Sequence, residues 1–286
     1  MNPYRKHVSE FARLYREGRD IPLGELSSPP ALHLPPDAWK VLIFSPNPGD
    51  EAIAGGLALR LMRENRMRVT NVAVTHGSDR DRRSGRLGEL RKSCDYIGFD
   101  LRRTAVDGLE NVNVRNREEN PGDWISSVET IVEILKEHRP EIVCFPHDTD
   151  QNSVHIGTHY LMVDALERLP RSISFYTVET EFWSPMASPN LMVEQSEADA
   201  GDLVAALSCH AGEVRLNPYH LRLPAWLMDN VRRGAALVGN RGSGTDVTFA
   251  VLYRLRRWEQ GRFRNVLERG RFLAASENAG LLFPLL

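Results

Sequence analysis

The sequence predicts an α/β fold, a Rossmann-like, doubly wound, mostly parallel sheet with helices on both faces. Short apolar runs alternate with segments of helical length from about residue 40 to residue 180. The stretch "VLIFSPNPGDEAIAGG", residues 41–56, passes from a strand through a Pro- and Gly-containing turn into a helix of small residues. Polar residues collect at this turn, at the carboxyl end of a strand, where open α/β sheets bind ligands.

The 286 residues are expected to form one domain. Residues 1–38 predict an amphipathic helix and a Pro-rich connector, residues 39–190 the sheet core, and residues 191–286 a C-terminal helical elaboration. The predicted strands of the core are "KVLIFSP", "RVTNVAVTHG", "EIVCFP" and "SISFYTVET". Its predicted helices are "EAIAGGLALRLMREN", "RRSGRLGELRKSCDYIG", "WISSVETIVEILKEHRP" and "IGTHYLMVDALERL". After the core, "SEADAGDLVAALSCHAGEV" predicts a helix that Ser196 caps.

The composition argues against nucleic-acid binding and against insertion into a membrane. With 36 basic and 38 acidic side chains, the chain lacks the positive charge of a protein that neutralises nucleic-acid phosphates. Its three cysteines are far apart, which favours reduced thiols in the cytoplasm. The first 20 residues are charged and lack the apolar core expected of a signal peptide, and no apolar run approaches the roughly 20 residues that span a bilayer. We therefore expect a cytoplasmic protein whose partner is a small molecule, and the sequence does not determine its oligomeric state.

Two loops hold the residues that suggest chemistry. The first is residues 46–51, "PNPGDE", and the second is residues 146–159, "PHDTDQNSVHIGTH", with three histidines and two aspartates. Both follow strands, so in a doubly wound sheet they open on one crevice, where Asp50 and an imidazole could share a cation. Zinc suits such ligands, because catalytic zinc usually takes three protein N or O ligands and one water.

Simpler explanations exist for the same residues. Asp50 and Glu51 begin a helix, where the dipole favours acidic side chains, so either residue could act as a cap alone. The aspartates and Asn152 of the second loop could form Asx turns. His155 and His159 could be buried and satisfied by hydrogen bonds, or could form a shifted metal site at i, i+4 spacing.

The loops resemble the LmbE/PIG-L family of metal-dependent N-deacetylases, which remove acetyl groups from N-acetylated sugars and related small amides. The family's P-H-P-D-D-E motif corresponds to residues 46–51, and its H-P-D-H motif corresponds to the second loop. The resemblance extends to "THGS" at residues 75–78, to Arg86 and Glu89, and to Asp107-Gly108. It covers roughly residues 40–180 and implies a hydrolase with a zinc ion or another divalent metal.

The resemblance assigns roles residue by residue. It places the metal ligands at Asn47, Asp50 and His155, the general base at Gly49, and a residue that supports the transition state at Asn152. The first motif is therefore degenerate, because the family has histidine and aspartate where this chain has Asn47 and Gly49. Asp50, His155 and Asn152 are the catalytic residues that remain.

Four further residues are expected to bind substrate. Arg86 and Asp107 lie at the family's Arg-x-x-Glu and Asp-Gly motifs, and His147 and Asp150 precede His155 in the second loop. Their side chains suit hydrogen bonds to the hydroxyl and amide groups of a small polar ligand.

The two substitutions have physical consequences. An asparagine amide is a neutral ligand and a poor substitute for imidazole at zinc, so we expect the metal to be held weakly or not at all. Gly49 cannot take a proton from water, and general-base catalysis is typically worth ~10²–10⁴-fold. Three hypotheses remain open. They are a deacetylase-like hydrolase with a different base, a pseudoenzyme that binds a sugar-like or amino N-acylated metabolite, and metal-independent chemistry on a biosynthetic intermediate.

Overall fold

The computed structural model describes residues 2–237 and 247–284. Met1, residues 238–246 of the predicted C-terminal elaboration, and residues 285–286 lie outside the described residues. Within the described part of the chain, nine strands form one mixed, mostly parallel sheet with the order β3-β2-β1-β4-β5-β7-β6-β9, and β8 pairs with β7. The strands are β1 (Lys40–Ser45), β2 (Arg68–Ala73), β3 (Asp100–Arg103), β4 (Ile142–Pro146), β5 (Phe175–Thr180), β6 (Leu191–Glu194), β7 (Ala250–Glu259), β8 (Arg262–Asn265) and β9 (Arg271–Leu273).

Helices cover both faces of this sheet, which confirms the predicted fold class. They are α1 (Tyr4–Glu17), α2 (Asp50–Ala54), α3 (Gly56–Asn65), α4 (Arg83–Ile97), α5 (Val114–Glu119), α6 (Pro121–His138), α7 (Ser153–Glu167), α8 (Glu197–Ser208), α9 (Ala211–Val214) and α10 (Leu223–Leu237). None of the helices in the described ranges has both the length and the apolar character needed to cross a bilayer.

The strand order creates a crevice between β1 and β4. Five strands are parallel neighbours, in the order β3-β2-β1-β4-β5. The chain adds β2 and β3 on one side of β1, and it then adds β4 and β5 on the other side. This reversal is a topological switch point, where loops at the carboxyl ends diverge and leave room for a ligand. The loop before α2 and the loop before α7 both begin there.

Side-chain alternation along β1 builds the two halves of the core. Val41 and Ile43 pack into a cluster with α3, α4 and α8, whereas Leu42 and Phe44 pack into a second cluster with α6 and α7. All four side chains are buried, as expected for a central strand covered by helices on both faces.

The prediction of a helical elaboration after residue 190 accounts for only part of the structure there. Helices α8, α9 and α10 are present, but this part of the chain also contributes β6, β7, β8 and β9 to the sheet. β7 pairs antiparallel with β5 and so extends the parallel core sideways. The predicted helix over residues 51–65 is also divided, at Gly55. There the Tyr253 hydroxyl of β7 accepts from Leu57 N and donates to the Ala54 carbonyl.

Gly157 sets how closely α7 approaches the loop after β3. A Cβ atom at this position would clash with the backbone of Val112 and lie 2.6 Å from the Asn113 Cα. Because backbone atoms cannot move aside as side chains do, Gly157→Ala is expected to destabilise the protein by about 1–3 kcal/mol. The matched control is Gly201→Ala in α8, where a Cβ meets nothing within 4 Å. This control should stabilise by roughly 0.5–1 kcal/mol in urea unfolding, and equal effects at both sites would contradict the packing role of Gly157.

Candidate functional site

Asp50 and His155 meet in the crevice between β1 and β4. Asp50 begins α2, and its Oδ2 lies 3.1 Å from the His155 Nε2 of α7. The same Oδ2 accepts a hydrogen bond of 2.8 Å from the Asn47 backbone N–H. On the other side of the ring, His155 Nδ1 lies 3.6 Å from Asp150 Oδ1, within ion-pair distance but too long for a hydrogen bond. His155 is therefore held between two carboxylates.

This arrangement favours the charged form of His155. Burial alone would lower the pKa of His155, but the Asp50 and Asp150 carboxylates outweigh burial and raise it to about 9. The His155 side chain is buried and packs edge-on against the Phe182 ring. At neutral pH, Asp50 and His155 therefore form a buried ion pair.

Asn47 presents its amide nitrogen to this pair. Its Nδ2 lies 3.3 Å from His155 Nε2, and its Oδ1 lies 3.3 Å from the Thr75 hydroxyl oxygen. The Thr75 hydroxyl, in the loop after β2, donates its one proton to the Pro46 carbonyl at 2.8 Å. Because the charged His155 has no acceptor nitrogen, the contact between Asn47 Nδ2 and His155 Nε2 is not a hydrogen bond.

Gly49 lies opposite a tyrosine hydroxyl. Its φ of +106° is a conformation that residues with a Cβ rarely adopt. A Cβ atom added there would lie 3.2 Å from the hydroxyl oxygen of Tyr219. Burial and the neighbouring Asp50 and Glu51 carboxylates raise the pKa of Tyr219 above its ordinary value. The hydroxyl therefore stays protonated and acts as a hydrogen-bond donor at neutral pH.

Glu51 points into the protein beneath this turn. Its Oε2 accepts a 2.8 Å hydrogen bond from Gly49 N, and its Oε1 accepts 2.7 Å bonds from Ser93 Oγ and His210 Nε2. Burial alone would raise the pKa of Glu51, but His210 and the hydrogen bonds outweigh burial and lower it. Glu51 thus supports the Gly49 turn from below, which is more than the capping role considered from sequence.

A cavity of about 810 Å³ opens above the ion pair. Asn47, Asp50 and Tyr219 line it, together with residues from three other regions of the chain. The Trp183 side chain, 41% exposed, also lines it and stacks edge-on against Tyr219. Polar, charged and aromatic groups converge here, as is typical of a site for a small polar ligand.

Two further residues that the sequence assigned to the site also line this cavity. Arg86, a predicted substrate ligand, lines it and pairs with Glu213 at 3.2 Å. Asn152, a predicted catalytic residue, lines it as well, and its side chain caps α7 by accepting from Val154 N at 2.9 Å. Asn152 therefore has the structural role of an N-cap in addition to its place in the wall.

The structure does not place the other predicted substrate ligands in the cavity wall. His147 is fully buried, and its ring nitrogens contact the Thr149 hydroxyl and the Ser184 carbonyl. Asp150 is buried and accepts from backbone N–H groups of Asn152, Trp183 and Ser184. His147 and Asp150 hold the second loop in shape, because their polar atoms are used by neighbouring groups.

Asp107 and His159 also lie elsewhere. The Asp107 side chain is exposed and lies outside the cavity wall. His159 Nδ1 bonds to the Pro146 carbonyl at 2.9 Å, and burial lowers the pKa of His159. The shifted metal site at His155 and His159 is therefore not assembled, because the His159 ring faces the backbone of its own loop.

The donors around Asp50 do not fit a catalytic zinc ion, which usually takes three N or O ligands from the protein. In residues 2–237 and 247–284, no three His, Cys, Asp or Glu side chains are grouped so that they could hold a metal. Asp50 and His155 supply two donors that contact each other, and the side chain beside them, Asn47, is a neutral amide, which is a poor zinc ligand.

Sequence reasoning does not single out Tyr219 or Thr75. Tyr219 lies in the "NPYHLRLPAW" segment, far along the chain from Gly49, and only the density of aromatic and polar residues in that segment marks it. Thr75 lies within "THGS", but its contact with Asn47 depends on the neighbouring positions of β1 and β2.

One known protein family matches the part of the chain that contains both loops. The sequence profile of the family described as "PIG-L: GlcNAc-PI de-N-acetylase" matches residues 42–166, which span both loops. Among curated proteins, none has a sequence that matches the chain.

Several solved structures have the same fold. N,N'-diacetylchitobiose deacetylase from Pyrococcus horikoshii has 15% identity and a TM-score of 0.55, covering 89% of this chain and 93% of that one. The zinc-inhibited form of teicoplanin deacetylase Orf2 has 13% identity and a TM-score of 0.56, covering 80% and 100%. GalB, the 4-carboxy-2-hydroxymuconate hydratase from Pseudomonas putida KT2440, has 15% identity and a TM-score of 0.57, covering 81% and 99%. The chain therefore carries, in residues 42–166, a domain of the PIG-L (LmbE-like) family on a scaffold that it shares with deacetylases.

Proposed function

We propose that this protein binds a small N-acylated metabolite, sugar-like or amino, in the cavity above Asp50, and that metal-dependent hydrolysis is impaired or altered there. The observation that carries the proposal is the Tyr219 hydroxyl, which lies 3.2 Å from where a Cβ of Gly49 would be. A protonated hydroxyl replaces the carboxylate that the family uses as a base. It can donate to a ligand carbonyl but cannot take a proton from water at neutral pH.

The charged pair next to Tyr219 supports the same proposal. Asp50 and His155 neutralise each other at 3.1 Å, and Asn47 adds an N–H donor beside them. An N-acyl group has one carbonyl acceptor and one N–H donor, which such a set of donors and acceptors can satisfy. The aromatic ring of Trp183 offers an apolar face for the rest of a sugar-like ligand.

Metal-independent chemistry on a biosynthetic intermediate is the second candidate. It is favoured by the hydroxyl of Tyr219 and the imidazolium of His155, which are two proton donors in one crevice. General-acid catalysis by such groups is typically worth ~10²–10⁴-fold. The hydratase of the same fold is consistent with chemistry other than deacetylation on this scaffold.

Calorimetry tests the proposed function. It measures the binding of N-acetylglucosamine and of N,N'-diacetylchitobiose, each compared with its deacetylated form. We expect tighter binding of the N-acetyl forms, together with acetate release far below ~1 s⁻¹ even with zinc supplied. Acetate release on the order of 1 s⁻¹ or more would sink the impaired-site proposal. Equal affinity for the acetylated and free amines would rule out the N-acyl assignment.

Tyr219→Phe tests the role of the hydroxyl directly. Because a net hydrogen bond contributes about 0.5–1.5 kcal/mol, the variant should bind the N-acetyl ligand roughly 2- to 12-fold more weakly. It should bind the free amine unchanged. The matched control is Tyr96→Phe, which removes a hydroxyl that bonds to Asp202 outside the cavity wall. A loss of affinity that is equal for both ligands would point to a packing role for Tyr219 instead.

A further inference from the structure

A second, smaller cavity of about 240 Å³ lies beside the cavity above Asp50. The loop after β5, residues 181–185, forms one side of it, and α10 forms the other. Ile53 and Trp183 line both cavities, so the two spaces are neighbours. Apart from Ile53, every residue that lines the smaller cavity lies outside residues 42–166, which match the family profile. The family match therefore does not account for this cavity.

The charged groups around the smaller cavity neutralise one another. Arg233 donates to both carboxylate oxygens of the buried Glu181 and lies 3.4 Å from Asp229. Asp229 also accepts a 2.7 Å hydrogen bond from Arg232. The Asn230 amide is engaged as well, because it bonds to Arg233 and to a backbone carbonyl of β7. The two acids and two arginines that the described residues place here therefore balance, and an ionic ligand group would gain no counter-charge.

Most of the remaining wall is apolar. On α10, the residues Leu223, Trp226 and Leu227 line the cavity, at the i, i+3, i+4 spacing that places side chains on one face of a helix. Phe182 and Trp183 line it from the loop after β5. An apolar cavity of about 150 Å³ is large enough to bind benzene. The smaller cavity therefore has room for a group of that size.

Trp183 stands between the two cavities. Its ring lies edge-on to Tyr219, with centroids 6.1 Å apart, and edge-on to Trp226, with centroids 5.5 Å apart. Its backbone N–H donates to Asp150 Oδ2 at 3.0 Å, which fixes Trp183 to the loop that precedes His155. The residue is nevertheless 41% exposed. Covering this ring with an apolar ligand group would remove its surface from water and so favour binding.

We infer that the ligand carries a neutral apolar group, of about the size of one six-membered ring, and that this group binds in the smaller cavity against Trp183 and Trp226. A charged or strongly polar group would lose its hydration there and find its possible partners already paired. The presence of an N-acyl group at Asp50 in the same ligand rests on the proposed function, whereas the apolar subsite rests on the lining of the smaller cavity.

Calorimetry on the full chain tests the apolar subsite with four probes. They are the phenyl and methyl β-glycosides of N-acetylglucosamine and the same two glycosides of glucosamine. We expect each phenyl glycoside to bind at least about tenfold more tightly than its methyl counterpart, because the ring removes more apolar surface from water. Equal affinity for phenyl and methyl glycosides overturns the apolar subsite. A failure of both phenyl glycosides to bind at millimolar concentration also overturns it.

Trp226→Ala separates recognition from packing, because Trp226 lines only the smaller of the two cavities. The variant should remove most of the roughly tenfold phenyl preference and leave the affinity for the methyl glycoside unchanged. That unchanged affinity also shows that the variant is folded. Trp226→Leu, which keeps more of the packing volume, is the second variant and should lose less of the preference. An equal loss for phenyl and methyl glycosides in both variants would assign Trp226 a packing role and contradict the inference.

Trp39→Ala is the matched control. Trp39 is half-buried like Trp226, but it precedes β1 and lines neither cavity. This control should leave the affinities for all four probes unchanged. A loss of the phenyl preference in Trp39→Ala would place the recognition of the ring elsewhere and overturn the assignment to the smaller cavity.

The outcomes distinguish this inference from the proposed function. If the phenyl preference is present in both sugar series while acetylated and free amines bind equally, the N-acyl proposal fails and the apolar subsite stands. If the N-acetyl forms bind more tightly but phenyl and methyl glycosides do not differ, the apolar subsite fails and the N-acyl proposal stands.

Discussion

Replacing Glu51 with alanine is expected to lower the free energy of unfolding by about 3–5 kcal/mol. Glu51 is fully buried and accepts from Gly49 N, Ser93 Oγ and His210 Nε2. The variant leaves three buried donors without their acceptor, namely His210 Nε2, the Ser93 hydroxyl and the Gly49 N–H. Each buried donor that loses its acceptor costs about 1–3 kcal/mol, because it was removed from water on folding and gains no bond in return.

Urea unfolding at neutral pH measures this effect. Glu51→Gln is the conservative variant, since its amide oxygen can still accept from Gly49 N, and we expect it to lose less than Glu51→Ala. Glu129→Ala is the surface control, because its ion pair with Arg168 is half-exposed and such pairs contribute at most about 1 kcal/mol. If Glu51→Ala costs no more than this control, the buried network does not stabilise the turn.

The crevice residues could be predicted because they depend on local sequence and strand order. Asp50 follows β1 and His155 follows β4, and both strands are recognisable as apolar runs bounded by turn residues. Parallel neighbours bring their carboxyl ends together, so the approach of Asp50 to His155 follows from the topology.

The role of Glu51 could not be settled from the sequence. An acidic residue at a helix start is equally typical of a cap and of an inward-facing ligand. Its orientation depends on Ser93 in α4 and His210 after α8, which reach it only through tertiary packing. The position of the Tyr219 hydroxyl near Gly49 also depends on tertiary packing, because the 3₁₀ turn that contains Tyr219 lies late in the chain and folds back over the crevice.

No strand was predicted after residue 190, although the apolar run "FAVLY" at residues 249–253 favours one. β7 contains Arg254 and Arg256 on one face, which is typical of a solvated strand. In the fold both arginines pair with the buried Glu179 of β5 at 2.6 Å. An ion pair between distant strands makes an arginine-rich segment compatible with burial, and a single sequence gives no signal of it.

Asn47→His is expected to convert a protein that purifies with well under one equivalent of zinc into one that keeps zinc through dialysis. The variant returns a third N or O ligand beside Asp50 and His155, which is the number that catalytic zinc usually takes. Metal analysis after dialysis against a mild chelator measures the change. A full equivalent of zinc in the parent protein would contradict the present assignment of its donors.

Gly49→Asp alone is expected to restore little, because a base needs an activated water to deprotonate. The structure adds a second obstacle, since Gly49 has a φ of +106° and a Cβ there lies 3.2 Å from the Tyr219 hydroxyl. Holding a residue with a side chain in such a conformation costs on the order of 1–3 kcal/mol. Tyr219→Phe in the same chain removes the hydroxyl and gives the new carboxylate room.

The assay measures acetate release from N,N'-diacetylchitobiose and N-acetylglucosamine with zinc supplied. It compares the parent, both single variants, the double variant and the triple variant that also carries Tyr219→Phe. The double variant should exceed the sum of the singles, because ligand and base act as one unit. The triple variant should exceed the double if the Tyr219 hydroxyl obstructs the base. A double variant that binds zinc yet releases no acetate, with a triple variant equally silent, would mean that the cavity itself accepts a different ligand.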